Sequence, residues 1–142
     1  MMPVHLVLDA SMALAWIFPR QKQAEKVCAD RALDLMDSVM ATVPNLWHLE
    51  VANGLLVGER RKVIAATQVD DYLDQLDALP IRSDDTVPQA RRSHIMALAR
   101  RWGLTVYDAT YLELALRSRA VLATFDAKLA AAMRHSGGTV FE

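Results

Sequence analysis

The sequence predicts an α/β protein layered around a parallel central sheet, on three observations. Short apolar runs such as VHLVL and AVLATF alternate with longer segments of helical periodicity. Their order is strand, several helices, strand, helix, strand, the order of an α/β layer architecture. Two of the runs end at or next to an aspartate, Asp9 and Asp126, and open parallel sheets hold ligand crevices outside the carboxyl ends of their strands.

Residues 4–8 form the first strand, ended by Asp9 and followed at once by a helix over 11–18. Pro19 and the polar stretch 20–23 break the pattern. An amphipathic helix is expected over 24–40, with Val27, Ala32, Leu35 and Val39 on or near one face; Thr42 and Pro44 end it or the loop beyond. Asn45 is a candidate N-cap for a helix over 46–61 that carries Leu49, Ala52, Leu55 and Leu56 at helical spacing. Gly54 and Gly58 weaken that helix and permit a neighbour to pack closely. A helix over 65–79 shows an apolar stripe at Val69, Tyr72, Leu73 and Leu76 before Pro80 stops it, and Ile81 begins a short strand. Thr86 and Pro88 open the next helix, which reaches Trp102 and stops at Gly103. Residues 104–106 read as a very short extended segment and Asp108 as the start of the helix DATYLELALRSR. Residues 120–125 read as a buried strand, 127–135 as the last helix and 139–141 as a final strand.

A length of 142 residues suits one domain, here residues 1–142, large enough to bury a continuous core. With 53% hydrophobic and 23% charged residues and only five glycines and five prolines, the composition is that of a folded globular chain, not a disordered one. Cys28, the single cysteine, excludes an intramolecular disulfide and makes no structural zinc site, which points to a reducing cytoplasm. The apolar start, interrupted by Asp9 and lacking a preceding basic residue, reads as neither export signal nor membrane span. Sixteen basic against seventeen acidic residues give a net charge of −1, so contact with nucleic acid must come from local patches. Arg60, Arg61 and Lys62 form one such cluster, and Arg91 with Arg92, then Arg100 with Arg101, form others; each also reads as a solvated helix face.

Among seventeen acidic residues, a carboxylate is informative only where the surrounding segment should be buried. Four qualify: Asp9 after VHLVL, Glu50 within NLWHLEVANGLL, Asp108 within GLTVYDATYLELAL, and Asp126 after AVLATF. Burying one carboxylate costs several kcal/mol or raises its pKa, and bringing four together adds repulsion. Hard divalent cations, Mg²⁺ or Mn²⁺, would compensate, since an oxygen-only donor set without His or Cys selects them. Such a site suits phosphodiester hydrolysis. Each acid taken alone has an ordinary reading too: Asp9, Asp108 and Asp126 as helix N-caps, Glu50 as a partner of Arg60 or Arg61.

Together, the segments VLDASMALAW, PNLWHLEVANGL, LTVYDATYLELA and LATFDAKLAAA resemble the PIN-domain family, and within it the VapC-type toxins of bacterial toxin–antitoxin pairs. The resemblance spans nearly the whole chain, with YDATYLELA its most specific block. It implies a PIN-like three-layer fold, a parallel sheet flanked by helices. It implies that Asp9, Glu50 and Asp108 bind metal, with Asp126 at the fourth acidic position, and that Ser11, Asn53 and Thr124 line the same pocket. It further implies endonucleolytic cleavage of RNA by metal-activated water, a homodimer, and a small antitoxin whose tail fills the groove.

Other residues carry less. His5, His48, His94 and His135 are scattered, and His48 and Glu50 fall on different helix faces, so no helical metal pair forms. Trp16, Trp47 and Trp102 read as core more readily than as base-stacking platforms, and Met36, Met40, Met96 and Met133 as core fillers. The Arg60, Arg61, Lys62 cluster is the candidate for phosphate contact. Two competing readings remain: a non-catalytic PIN-like module that binds RNA or protein, and an aspartate phosphatase with Asp9 as nucleophile. The haloacid-dehalogenase type of phosphatase needs a second aspartate where this chain has Ser11.

Overall fold

The computed structural model describes residues 4–142; the part of the apolar start before Val4 lies outside the described residues. The chain runs β1 (His5–Leu8), α1 (Ala10–Ala15), α2 (Gln23–Leu35), β2 (Met40–Val43), α3 (Leu46–Arg60), α4 (Ala66–Asp77), β3 (Ile81–Ser83), α5 (Pro88–Trp102), α6 (Val106–Ser118), β4 (Val121–Ala123) and α7 (Ala127–His135). The four strands form one sheet in the order β3-β2-β1-β4, and every pairing is parallel. Leu6 stands opposite Ala41 on one side and Val121 on the other. Leu6, Val7 and Leu8 are all fully buried although successive side chains of a strand point to opposite faces. Helices therefore cover the sheet on both faces, as the α/β reading requires.

Most expected elements stand within a residue or two of their place. The exception is β2. Residues 36–40 were expected to continue the second helix, but α2 stops at Leu35, Met36 to Ser38 turn the chain, and Met40 pairs with His5. No glycine or proline marks that break, and a four-residue strand exists only because β1 and β3 supply its hydrogen bonds. The extended segment expected at 104–106 is also shorter: Thr105 caps α6, its side-chain oxygen accepting from the Asp108 backbone N–H at 3.1 Å, so Val106 is already helical. At the carboxyl end the expected strand over 139–141 reduces to a single parallel bridge, Leu122 with Val140.

The glycines of α3 do what their spacing suggests. A Cβ on Gly54 would meet Leu14 Cδ1 at 2.5 Å, and one on Gly58 would meet Phe18 Cζ at 2.4 Å. α3 thus lies close against α1 and the segment after it, which brings Glu50 towards the end of β1. Gly103 ends α5 with φ +65° in the left-handed region, as a helix C-terminal glycine does. Some apolar residues are not core: Leu49 is 76% exposed, and Val27, Met40 and Met96 are exposed as well, while Met36 and Met133 are buried. Trp47 is buried, and Trp16 is half-buried with its Nε1–H donating to the Ala29 carbonyl at 2.9 Å. His5 and His48 join elements through Thr42 (2.6 Å) and Ser83 (2.7 Å). No helix among the described residues is long and apolar enough to cross a membrane.

Candidate active site

In the order β3-β2-β1-β4 the chain leaves β1 towards β2 on one side and returns to β4 on the other, so the sheet's switch point lies between β1 and β4. Asp9 follows the last residue of β1, and its backbone N–H donates to the Ala123 carbonyl at the end of β4, 2.9 Å away. Asp126 lies three residues beyond that strand end and caps α7, its Oδ1 accepting from the Leu129 backbone N–H at 2.8 Å. Glu50 enters from the middle of α3 and Asp108 from the first turn of α6. All four acids line one cleft of about 520 Å³, together with Ser11, Asn53, Arg20, Leu14, Gly54 and Phe125.

The expected acids therefore come together, and their cap readings divide. Asp126 is an N-cap in fact. Asp9 occupies the N-cap position of α1 but makes no cap hydrogen bond, and at Asp108 the capping role belongs to Thr105. Glu50 pairs with neither Arg60 nor Arg61; its Oε1 accepts from the Tyr111 hydroxyl at 2.6 Å.

A closed set of hydrogen bonds fixes Asp9, which is only 7% exposed. The Ser11 hydroxyl accepts from the Phe125 N–H (3.0 Å) and the Thr124 hydroxyl from the Asp126 N–H (2.9 Å). Each hydroxyl then has its proton free to donate, and both donate to Asp9 Oδ2, at 2.8 and 2.6 Å. The carboxylate is held in one orientation, and Oδ1 takes no side-chain hydrogen bond from the described residues. Asn53 is exposed on the cleft wall one turn after Glu50.

Burial pushes the Asp9 carboxyl above its ordinary range, partly offset by the Thr124 and Ser11 hydroxyls, and the charge on Asp126 adds to the rise. Glu50 is raised by burial first and then by Asp9 and Asp108, against the hydrogen bond from Tyr111. Asp108 is raised by burial, then by Asp126 and Asp9, with Thr105 and Lys128 acting the other way. Burial and the hydrogen bond to Glu50 hold the Tyr111 hydroxyl far above its ordinary value, so it remains a donor. The cleft thus concentrates negative charge that its own walls do not neutralise.

The donor chemistry fits a hard divalent cation: every polar ligand candidate is an oxygen, and no His or Cys lines the cleft. No three His, Cys, Asp or Glu side chains among the described residues close a metal cage by themselves. A hard divalent cation that keeps part of its water shell would need only one or two direct protein carboxylates. Asp9, Glu50, Asp108 and Asp126 are the residues that would hold it.

Sequence reasoning missed three contributors. Tyr111 sits one turn after Asp108 on α6, a spacing that was visible. The pairing of Thr105 with Asp108 is a T-x-x-D signal of the capping kind. Arg20 had no local signal, because only the packing of the loop after α1 brings it to the cleft. The cluster Arg60, Arg61, Lys62 does not line the cleft; Arg60 stands ten residues beyond Glu50, about 15 Å along the helix.

The model of the PIN domain matches residues 6–134. The chain belongs to the PIN-domain family. Within that family it is 32% identical over 131 residues to Ribonuclease VapC3 of Pyrobaculum aerophilum, an alignment covering 89% of this chain and 93% of the relative, which bears out the VapC-type resemblance. Two solved structures share the PIN fold seen here. PAE2754 from Pyrobaculum aerophilum superposes with a TM-score of 0.68 at 23% identity, covering 92% of this chain and 87% of that one. FitAcB from Neisseria gonorrhoeae superposes with a TM-score of 0.62 at 17% identity, covering 96% of each.

Proposed function

We propose that this PIN domain is an endoribonuclease that hydrolyses RNA phosphodiester bonds with Mg²⁺ or Mn²⁺ in the cleft, and that it is the toxin of a toxin–antitoxin pair. The observation that carries the chemistry is the convergence of Asp9, Glu50, Asp108 and Asp126 on one cleft without an ion-pairing cation. The ribonuclease name of the relative VapC3, at 32% identity, supports RNA as the substrate. The same kinship supports a small antitoxin partner and a homodimer as part of this proposal, and the single cysteine, Cys28, supports a reducing cytoplasmic location.

A bound divalent cation supplies Lewis acidity to a phosphoryl oxygen and lowers the pKa of a water. The chain's own residues prepare for it. Ser11 and Thr124 orient Asp9 through Oδ2 and leave Oδ1 without a side-chain hydrogen bond among the described residues. Tyr111 fixes Glu50 through Oε1, while the cap bond of Asp126 uses Oδ1 and leaves its second oxygen available. Asp108, at the third position of α6, brings a carboxylate to the cleft without holding its own helix end. The phosphatase reading loses support from the same network, since the Ser11 proton is committed to Asp9 where that chemistry needs a second carboxylate.

The test is cleavage of a labelled single-stranded RNA by purified protein with Mg²⁺ or Mn²⁺. Cleavage that EDTA abolishes and Asp108→Asn removes supports the reading. Full activity in Asp108→Asn protein, or in EDTA, would sink it. Binding of RNA without cutting under all metal conditions would favour the non-catalytic module.

A further inference from the structure

Four carboxylates in a cleft repel a polyanion as well as one another, so a strand of RNA needs cationic contacts near the bond to be cut. Arg20 is the single basic side chain lining the cleft. It sits between α1 and α2, directly after Pro19 and Phe18, and two contacts hold it. Its Nε–H donates to Glu25 Oε1 at 3.2 Å, and its guanidinium carbon lies 4.7 Å from the centre of the Phe125 ring.

Both contacts leave the working end of the side chain open. Glu25 engages Nε alone, and neither terminal nitrogen of Arg20 has a hydrogen-bond partner among the described residues. No ion pair or hydrogen bond joins Arg20 to Asp9, Glu50, Asp108 or Asp126, so the arginine shares their cleft without neutralising them. Phe125, the platform under it, is held by the hydrogen bond from its N–H to Ser11 that also helps to orient Asp9. The position of the guanidinium is thereby coupled to that of the carboxylate.

We propose that Arg20 is the phosphate-binding residue of the cleft, its free Nη1 and Nη2 forming a fork for a non-bridging pair of oxygens on an RNA phosphodiester beside the metal-binding acids. The inference rests on the ribonuclease reading above. A planar fork with two unused NH₂ groups matches phosphate geometry, where a lysine ammonium would offer only a point charge. Stacking on Phe125 keeps the fork ordered before the ligand arrives, which reduces the entropy lost on binding. The Arg60, Arg61, Lys62 cluster, further along α3, would meet the strand only away from the cut.

The experiment is fluorescence anisotropy of a labelled single-stranded RNA of mixed sequence, in EDTA, over a series of salt concentrations, alongside metal-dependent cleavage kinetics. Arg20→Gln should weaken binding roughly tenfold, as expected for losing a charge-assisted hydrogen-bonded contact, and should flatten the slope of log K against log salt by about 0.7. Arg20→Lys should restore the slope without restoring the full affinity. In cleavage, Arg20→Gln should raise KM, and its Tm should stay near the wild-type value, because a partly exposed pair at 3.2 Å such as Arg20 with Glu25 contributes little to stability. Arg134→Gln, which removes a basic charge that does not line the cleft, should leave the slope at its wild-type value. If the wild type cleaves and Arg20→Gln matches it in affinity, slope and KM, the role of Arg20 is overturned and the ribonuclease reading stands. If the wild type neither binds nor cleaves RNA, both fall together.

Discussion

Helix α6 carries two acidic clusters on different faces, and the protein treats them in opposite ways. On one face, Glu113 is 2% exposed and accepts from Arg91 Nε at 2.6 Å and Arg117 Nε at 2.7 Å; Arg117 also reaches Asp84 at 2.7 Å and Thr86 at 3.2 Å. On the other, Asp108 joins Asp9, Glu50 and Asp126 with hydroxyls for company and no paired cation. Burial alone would raise the Asp84 carboxyl, but hydrogen bonds from Arg117 and Thr86 and the Arg117 charge hold it below its ordinary range. Arg117 is itself raised, by its bonds to Asp84 and Glu113 first. Asp9, Glu50 and Asp108 move upward instead. The first cluster is complete as folded, and the second needs something from outside. The two clusters differ in what their neighbours supply: Glu113 and Asp84 have paired arginines, and the cleft acids have none.

The largest expected effect breaks the active cluster chemically. Asp9→Asn and Asp108→Asn should each lower RNA cleavage by about a hundredfold or more, the scale of losing one electrostatic stabiliser of a transition state, when rates are measured at saturating Mn²⁺. Next comes relief of the charge itself. Mg²⁺ or Mn²⁺ at about a hundred times its Kd should stabilise the wild type by about 2.7 kcal/mol, read as a Tm rise of several degrees in a thermal melt. Asp108→Asn should blunt that rise and melt higher than the wild type in EDTA.

The paired cluster should respond in the reverse direction. Arg117→Met strips Asp84 of its cation and leaves Glu113 with Arg91 alone, so a loss of about 2 kcal/mol is expected, below the cost of breaking a fully buried pair because Arg117 and Asp84 are partly exposed. Denaturant unfolding in EDTA and in Mg²⁺ should give the same loss, since this cluster is not a metal site.

The smallest effect is a pH slope that sharpens the contrast. Asp9, Glu50 and Asp108 have raised folded pKa values, so the native metal-free protein binds more protons than the unfolded chain; the stability this gives is present below the unfolded carboxylate pKa of about 4 and is lost as pH rises through the folded values. Asp84 has the opposite sign: its contribution is present above about 4 and is lost as pH falls through its lowered folded value. The melting temperature in EDTA should therefore rise as pH is lowered from neutral towards the ordinary carboxylate range, and Mg²⁺ should flatten that rise. A metal-free protein that loses stability steadily over the same interval would contradict the repulsion assigned to the cleft.

How legible each part was follows from the range of the interactions involved. Asp9, Asp108 and Asp126 stood out because each interrupts an apolar segment, and Glu50 because it lies inside one; that signal is local. The helix ends marked by Pro88 and Gly103 were equally local. β2 was hidden, since a four-residue strand is specified by the neighbours it pairs with and nothing in its own residues stops the helix before it. Arg20 was hidden for the same reason, while the basic triplet at 60–62 stood out as a run of charge and does not line the cleft.

The sequence by itself determined the alternation of strands and helices, the family kinship and the four acids, because hydrophobic periodicity and charge within an apolar run are properties of neighbouring residues. Only the tertiary structure decided which acids are caps, which hydroxyls bind Asp9, that Tyr111 holds Glu50, and that two arginines neutralise Glu113 while none pairs with the cleft acids. Those are contacts between residues far apart in the chain, and the energy of a buried charge depends on who stands beside it after folding.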